Sequence, residues 1–242
     1  MKTVIVIPTY NERENISILL EKIGLLGIKY LEVVVVDDNS PDGTWKIVEK
    51  KAEKDPHVHI LRRMGERGRG LAGVEGFRYA LDAGAEIVFE MDGDLSHDPS
   101  HIPDFLAAIK KFDVVLGSRF VESGASQRSS FLRAIISRTA GLYIKVVLGF
   151  SVKDPTSGFR CFRREVLEAI DLSTITARGP FIVTEVLFRC YRQGFRIGEI
   201  PIVFRQRFGG KSKLGCRELL KNFIKVFKLR LTSYCRRGTQ SA

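Results

Sequence analysis

Short apolar runs alternate with helical patterns along the first 120 residues. Runs rich in β-branched residues predict five strands, at 4–8, 33–36, 58–61, 87–91 and 114–116. Apolar residues at helical spacing predict helices between these strands, near 14–26, ending about 54, near 71–83 and over 99–111. The run of valines at 33–36 indicates a strand that is buried on both faces. This alternation predicts an α/β, Rossmann-like fold with a doubly wound, mostly parallel sheet.

The chain beyond residue 120 has a less regular pattern. It predicts an amphipathic helix over 132–148, a short strand near 159–162, a helix near 181–193 and a strand over 197–204. No internal repeat and no low-complexity linker interrupts the sequence. We therefore predict one domain over residues 1–215, followed by a tail over residues 216–242.

The formal net charge of +11 is concentrated at the C-terminal end. Residues 205–242 carry 11 Lys or Arg and a single acid, so the first 204 residues are nearly neutral. A uniformly basic nucleic-acid-binding protein would not show this distribution. Apolar residues in the tail recur at helical spacing with cations between them: Leu219, Leu220, Phe223, Ile224, Phe227 and Leu231. This pattern predicts a basic amphipathic helix that either lies on an anionic membrane surface or packs on the domain.

The composition is that of a globular protein, with 44% hydrophobic and 28% charged residues among 242. The longest stretch without Asp, Glu, Lys or Arg spans residues 3–11, whereas a membrane-spanning helix needs about 18 apolar residues. The sequence therefore predicts no transmembrane segment and no signal peptide. The cysteines form no C-x-x-C pair, which favours reduced and idle thiols: Cys161, Cys190, Cys216 and Cys235.

Polar residues follow four of the predicted strands directly, at 8–12, 37–39, 92–94 and 118–119. In open α/β sheets, ligands bind beyond the carboxyl ends of the strands. Asp92 and Asp94 are two residues apart, so both carboxylates can face one Mg²⁺ or Mn²⁺ ion that is shared with substrate phosphates. This edge of the sheet therefore predicts a site that holds a cation and a phosphate together.

Two other motifs indicate weaker alternatives. Gly68, Gly70 and Gly73 match the dinucleotide pattern G-x-G-x-x-G, but they follow the third strand instead of the first, which disfavours a nicotinamide cofactor. These glycines either bring a helix N-terminus close to a phosphate or allow tight packing. His97 and His101 have the spacing of a zinc pair, but the proline between them disfavours a shared helix and therefore zinc.

Segments from most of the chain together resemble family 2 glycosyltransferases of the GT-A fold. They are VIPTYNE (6–12), VVDDNSPDGT (35–44), MDGDLSH (91–97), GSR (117–119), Arg133 with ISR (136–138), DPTSGFR (154–160) and GKSKL (210–214). The resemblance covers about residues 3–215 in order. Within the family, the chain is similar to members that join mannose from GDP-mannose to dolichyl or another polyprenyl phosphate.

The resemblance implies a role for each matching residue at the donor site. The guanosine pocket would be lined by Pro8, Tyr10, Glu12, Val36 and Asp38. The diphosphate, the sugar and a Mg²⁺ or Mn²⁺ ion would be held by Asp92, Gly93 and Asp94, with Ser96 beside the metal. Catalysis would depend on Asp92, Asp94 and Arg119. No role is implied for Glu185.

The resemblance also implies how the phosphates of donor and acceptor are bound. Arg119, Arg207 and Lys213 would contact the donor, and the lipid phosphate would lie against Arg133, Ser137 and Lys213. The acceptor is a phosphate monoester that is largely ionised at neutral pH, so it needs positioning more than a strong base. In-line attack then inverts the anomeric carbon.

The resemblance further implies partners and a location. The acceptor lies in a bilayer, so we expect a peripheral protein at the cytoplasmic face of a membrane, with a small membrane subunit as a further partner and without nucleic acid. Two alternatives remain open. One is transfer from UDP-glucose or another nucleotide sugar to polyprenyl phosphate, and the other is a non-catalytic module that binds through its basic tail.

Overall fold

The computed structural model describes residues 1–126, 131–205 and 216–235, with the backbone alone for 131–137, 216–221 and 232–235. Its strands are β1 (Thr3–Thr9), β2 (Leu31–Asp37), β3 (Val58–Arg62), β4 (Ile87–Glu90), β5 (Val114–Ser118), β6 (Ala125–Ser126), β7 (Arg160–Arg163), β8 (Ile197–Pro201) and β9 (Val203–Phe204). Its α-helices are α1 (Arg13–Gly24), α2 (Thr44–Ala52), α3 (Arg69–Asp82), α4 (Ile102–Ala108), α5 (Phe131–Leu148), α6 (Arg164–Ala169), α7 (Ile182–Arg192) and α8 (Cys216–Cys235). Short 3₁₀ turns cover Pro99–His101 and Leu172–Thr174.

Seven strands form one sheet in the order β3-β2-β1-β4-β7-β5-β8. Neighbours pair in parallel except at β7, which is antiparallel to both β4 and β5. The predicted doubly wound, mostly parallel sheet is therefore confirmed. Strand order reverses between β1 and β4, and the carboxyl ends of strands on either side of such a point form the binding crevice of this architecture.

Helices cover both faces of the sheet. Along β1, Ile5 and Ile7 pack into one hydrophobic cluster with α1, α2 and α4, while Val4 and Val6 pack into the other with α3 and α5–α8. The same alternation divides the valines of β2 between the two clusters. Both faces of the central strands are thus removed from water, which explains why their sequence is continuously apolar.

The antiparallel strand β7 places a second set of residues at the binding edge. Because β7 runs opposite to β4, the segment that precedes it, residues 154–159, arrives beside the carboxyl ends of the parallel strands. The first residue of β7, Arg160, pairs in register with Glu90, the last residue of β4. A buried arginine is thereby placed next to a buried carboxylate.

The structure differs from the predicted elements in the last third of the chain. The strand predicted over 197–204 is two strands, because the chain turns after Pro201 and β9 pairs with β6 in a separate two-stranded sheet. Helix α6 was not predicted. Cys161 and Cys190 are buried, unpaired thiols, as expected, and burial raises the pKa of Cys190 to about 12.

The tail helix α8 packs on α5. The Tyr143 hydroxyl donates a hydrogen bond to the carbonyl of Phe223 (3.1 Å), and the two rings are 4.4 Å apart. Val226 is buried in the core. In the ranges that the structure describes, no helix is sufficiently long and apolar to cross a bilayer.

Candidate active site

The chain leaves the first two parallel strands through tight turns. Asn11 and Asn39, each two residues beyond its strand, have left-handed backbones with φ of 62° and 52°. The Asp37 carboxylate, which is fully buried, accepts hydrogen bonds from Thr9 Oγ1 (2.9 Å) and from the Ser40 hydroxyl (2.6 Å) and N–H (2.8 Å). Asp37 therefore locks the ends of β1 and β2 together, and the functional residues beyond them are held by a rigid frame.

Asp38 is the centre of a cluster beyond β2. Its carboxylate accepts from the Arg63 guanidinium and from the backbone N–H of Gly68 (2.7 Å). Arg67 donates to the Asp38 carbonyl (3.2 Å) and to the Tyr10 hydroxyl (3.0 Å), and its guanidinium lies 4.9 Å from the Tyr10 ring centre. Arg67 thus joins Tyr10 and Asp38, two predicted nucleotide-binding residues, and sequence reasoning misses it because it lies in a loop without a motif.

The other predicted nucleoside residues lie at the same edge. Pro8 is half-buried near the end of β1. Glu12 accepts from the Asn15 amide (2.8 Å), and its N–H donates to Thr44 Oγ1 (3.0 Å). The Val36 side chain is buried in the core beneath α3, so only its backbone lies where a ligand could contact it.

The loop after β4 folds back on Asp94. This carboxylate is only 2% exposed, and its Oδ1 accepts from the Ser96 N–H (3.0 Å) and hydroxyl (2.5 Å). Leu95 between them has a left-handed backbone with φ of 62°, an unusual conformation for a branched side chain. The turn therefore fixes the Asp94 and Ser96 oxygens against each other at the switch point of the sheet.

His97 lies buried behind this loop. Its Nδ1 accepts from the backbone N–H of Asp92 (3.1 Å), which places the ring proton on Nε2 in the neutral form. Burial lowers the pKa of His97 below its ordinary value, so the ring is neutral at pH 7. The ring stacks on Phe159 at 5.1 Å, and it therefore supports the loop from the side of the antiparallel strand.

Two arginines and two carboxylates alternate along the end of β4. Arg160 binds Glu90, and both side chains are fully buried. Arg69 donates to the other oxygen of Glu90 (3.1 Å) and, through Nε and Nη2, to Oδ1 of Asp92 (3.2 and 2.9 Å). The sequence did not point to Arg69, because the motif around it draws attention to its glycines. It did not point to Glu90, because Glu90 lies within a buried, otherwise apolar strand.

The glycine motif has a packing function in this structure. A Cβ at Gly68 would collide with the carbonyl of Arg178, and one at Gly70 with the carbonyl of Ala177. Glu185 holds that facing segment, accepting from the N–H groups of Thr176 (3.1 Å) and Ala177 (2.9 Å). The glycines thus bring the start of α3 against this segment, and Glu185 has a structural part at the edge of the site.

Arg119 forms a second rigid cluster after β5. Its Nε and Nη2 donate to the two carboxylate oxygens of Asp154 (2.7 Å each), and Nη2 also donates to Thr156 Oγ1 (2.7 Å). Both charged side chains are buried. Phe204 links this cluster to the loop after β4, because its ring lies 5.4 Å from Cζ of Arg119 and 5.5 Å from the His97 ring.

For four predicted site residues, the structure does not describe the side chain. Arg207 and Lys213 lie outside the described residues. Arg133 and Ser137 belong to α5, in the part described as backbone only. Their roles stay predictions, as do those of the residues that the structure does bring together.

The residues after β4 fit a divalent cation. Their carboxylate and hydroxyl oxygens, from Asp92, Asp94 and Ser96, are hard donors of the kind that Mg²⁺ and Mn²⁺ prefer. Within the described ranges, no group of three or more His, Cys, Asp or Glu could hold a metal alone. The donor set therefore suits an ion that completes its shell with substrate phosphates and water.

The mostly parallel sheet and the paired acids at its switch point agree with the glycosyltransferase class that the motifs indicate. Residues 4–171 match the model of the family described as glycosyl transferase family 2. The match spans more than half of the 242 residues, so the chain belongs to this family. The family that the motifs predicted is therefore confirmed.

Two named relatives are similar over most of their length. The undecaprenyl-phosphate mannosyltransferase of Micrococcus luteus is 39% identical over 214 residues, which cover 88% of this chain and 88% of the relative. The polyprenol monophosphomannose synthase of Mycolicibacterium smegmatis is 36% identical over 227 residues, which cover 93% of this chain and 85% of the relative.

Solved structures show the same fold. The glucosyl-3-phosphoglycerate synthase from Mycobacterium tuberculosis, in complex with Mn²⁺ and uridine-diphosphate-glucose, superposes with a TM-score of 0.66 at 20% identity. The superposition covers 96% of this chain and 78% of the synthase. The similarity confirms a GT-A-like fold and, at this identity, extends to the fold alone.

Proposed function

We propose that this chain transfers mannose from GDP-mannose to dolichyl or another polyprenyl phosphate and inverts the anomeric carbon. The names of its relatives support mannose and polyprenyl phosphate. The observation that carries the proposal is the buried Asp94, which follows Asp92 by two residues at the switch point of the sheet, with the Arg119–Asp154 ion pair across Phe204.

The proposed chemistry follows from where charge develops. When the sugar leaves, negative charge grows on the β-phosphate of the nucleotide, and groups that are already oriented stabilise it best. Asp94, Asp92 and Ser96 would hold a Mg²⁺ or Mn²⁺ ion that neutralises this charge. Arg119 is fixed by Asp154, so its guanidinium costs little reorganisation when a phosphate binds.

The remaining predicted roles complete the proposal. Pro8, Tyr10, Glu12 and Asp38, with the backbone of Val36, would bind the nucleoside, and Gly93 would leave room for the donor. Arg207, Arg133, Ser137 and Lys213 would bind phosphates of donor and acceptor. The acceptor phosphate is already ionised near neutral pH, so binding it in line with the anomeric carbon is the main task of these residues.

Transfer of labelled mannose from GDP-mannose to a short polyprenyl phosphate tests this function. We expect organic-phase label with Mg²⁺ or Mn²⁺, and a loss of about 100-fold or more with EDTA, because the leaving diphosphate then lacks its counter-ion. UDP-glucose serves as the control donor. Label from UDP-glucose alone would contradict the sugar assignment, and label that appears only with added membranes would indicate a partner subunit.

We also propose that the chain lies on a membrane surface through α5 and α8. Helix α8 turns Phe223 and Val226 inward, so the apolar side predicted from the sequence is divided between the core and the surface. We call the exposed apolar residues of α5 and α8 together the apolar patch. This patch consists of Leu142, Val146, Ile224, Phe227 and Leu231, each at least half exposed.

The exposed patch favours an anionic bilayer as its contact. Lys228 is exposed on the same helix, and Lys225 and Arg230 are partly exposed on either side of it. Apolar side chains flanked by cations bind to an anionic bilayer at the level of the lipid headgroups. The apolar side chains contribute by burial and the cations by attraction to the anionic lipids. The site would then face an acceptor that is itself held in the membrane. In this proposal the catalytic domain spans residues 1–215, and the tail that contacts the membrane begins at residue 216.

Replacing both Ile224 and Phe227 with Glu is expected to weaken binding to phosphatidylglycerol vesicles by about tenfold or more, since two exposed apolar side chains that would enter the bilayer are lost. Co-sedimentation at two salt concentrations measures the effect. Leu25→Glu is the matched control, because Leu25 is 86% exposed at the end of α1, outside the patch. Equal sedimentation of the double variant and wild type would contradict a membrane contact at this patch.

A further inference from the structure

Arg69 contacts one of the paired acids, Asp92, from the side of the core. It lies at the start of α3, and its guanidinium contacts two carboxylates, Glu90 on the buried side and Asp92 on the side of the site. Glu90 is itself held by Arg160 through its other oxygen. Charges therefore alternate from the core outward, from Arg160 through Glu90 and Arg69 to Asp92.

The backbone around Arg69 leaves little freedom for its side chain to move away. The glycines on both sides press against backbone carbonyls, as described above, and the Gly70 N–H donates to the carbonyl of Arg178 (2.8 Å). On the opposite side, a Cβ at Gly158 would lie 2.9 Å from Nη2 of Arg69 and 3.5 Å from Oδ2 of Asp92. The absence of a side chain at residue 158 makes room for this ion pair.

We propose that Arg69 is a positioning residue for Asp92, which it holds by Oδ1 with two N–H groups, so that this carboxylate would be shared between Arg69 and the metal. The proposal rests on the metal assignment in the proposed function. Two N–H groups that converge on one oxygen fix the position of Oδ1, which a single flexible ammonium does less well. Arg69 also reduces the negative charge that Asp92 presents to a cation.

These two effects predict opposite changes in binding and turnover. Without the guanidinium, Asp92 presents its full charge, so a divalent ion binds more tightly to the nucleotide-free protein. Asp92 Oδ1 is then no longer held in place, and the site loses the positive charge next to Asp92, so turnover falls. A residue that only stabilised the fold would weaken both properties together.

The test compares Arg69→Met, Arg69→Lys, Asp92→Asn and the Arg69→Met/Asp92→Asn double variant in the full chain. Mn²⁺ binding is measured by electron paramagnetic resonance with and without GDP, and kcat and KM are measured by mannose transfer. Arg196→Met is the control. This substitution removes an arginine that donates through Nε and Nη2 to the Asp113 carboxylate at the opposite edge of the sheet.

For Arg69→Met we expect Mn²⁺ to bind at least about fivefold more tightly without GDP, because one nearby positive charge is removed. We expect kcat to fall about tenfold or more while the donor KM changes by less than about threefold. In the Asp92→Asn background, both effects should shrink to about twofold, since the two residues act as a unit. Arg69→Lys should keep wild-type Mn²⁺ affinity with reduced kcat, and Arg196→Met should change neither.

Other outcomes overturn the proposal. Effects of equal size with and without Asp92 would show that Arg69 does not act through it, and unchanged Mn²⁺ affinity in Arg69→Met would contradict a shared carboxylate. If Arg69→Met does not fold, full activity of Arg69→Lys would contradict the need for two donors. Mn²⁺ binding needs neither donor sugar nor acceptor, so a chain that binds Mn²⁺ but transfers no mannose refutes the proposed reaction without deciding the role of Arg69. Wild-type protein that binds no Mn²⁺ in either condition overturns both.

Discussion

Asp94→Asn is expected to lower kcat for mannose transfer by about 100-fold or more, because the site loses the buried charge that would hold the metal. The substitution preserves shape, and the amide oxygen can still accept from the Ser96 N–H and hydroxyl that now bind Oδ1. The loop should therefore keep its conformation while its affinity for a divalent cation falls. Steady-state transfer and Mn²⁺ titration of the same preparation measure the two effects together.

A matched control separates loss of charge at this position from loss of charge in general. Asp104 lies ten residues further on, in the first turn of α4, and is 69% exposed. Asp104→Asn should retain transfer within about twofold, as exposed substitutions away from a site usually do. Near-normal transfer by Asp94→Asn, with Asp104→Asn equally active, would refute the metal assignment.

Features that depend on neighbours in sequence could be predicted from the sequence. The valines of β2 and the acids two residues apart after β4 are local patterns, and the parallel sheet follows from the alternation of strands and helices. The edge at which these acids meet follows from the sheet rule alone. The motif resemblance then gave the family, and the match over residues 4–171 confirmed it.

Features that depend on register between distant strands could not be predicted in this way. Glu90 and Arg160 are 70 residues apart, and only the antiparallel insertion of β7 places them side by side. Arg119 likewise meets Asp154 across 35 residues. Propensity and periodicity do not specify such pairs, because they report burial and local conformation without naming the partner.

Two patterns were interpreted correctly in kind and differ in detail. The G-x-G motif was left open between phosphate binding and tight packing, and the contacts of Gly68 and Gly70 with the segment around Arg178 show the packing. The tail was predicted as an amphipathic helix with one apolar side. In the structure α5 covers part of that side, a tertiary contact that helical spacing alone cannot reveal.

Arg160→Met is expected to lower the free energy of unfolding by about 3 kcal/mol, since breaking a buried ion pair leaves a carboxylate without its main counter-charge. Both side chains are fully buried, and Nη1 of Arg160 also donates to the carbonyl of Val183 (2.8 Å), which would lose this donor. Arg69 remains against Glu90, which keeps the effect at the lower end for such pairs. Urea denaturation with an unchanged m-value measures it.

The pair itself can be tested by removing its second member. Adding Glu90→Met to Arg160→Met should recover part of the lost stability, because an apolar side chain then replaces a buried carboxylate that has lost its main counter-charge. Arg196→Met is the exposed comparison. Its arginine pairs with Asp113 and is 65% exposed, so we expect its loss to change the free energy of unfolding much less. If Arg160→Met costs no more than Arg196→Met, the buried pair does not stabilise the edge of the site. The alternating charges from Arg160 to Asp92 would then result from the fold without stabilising it.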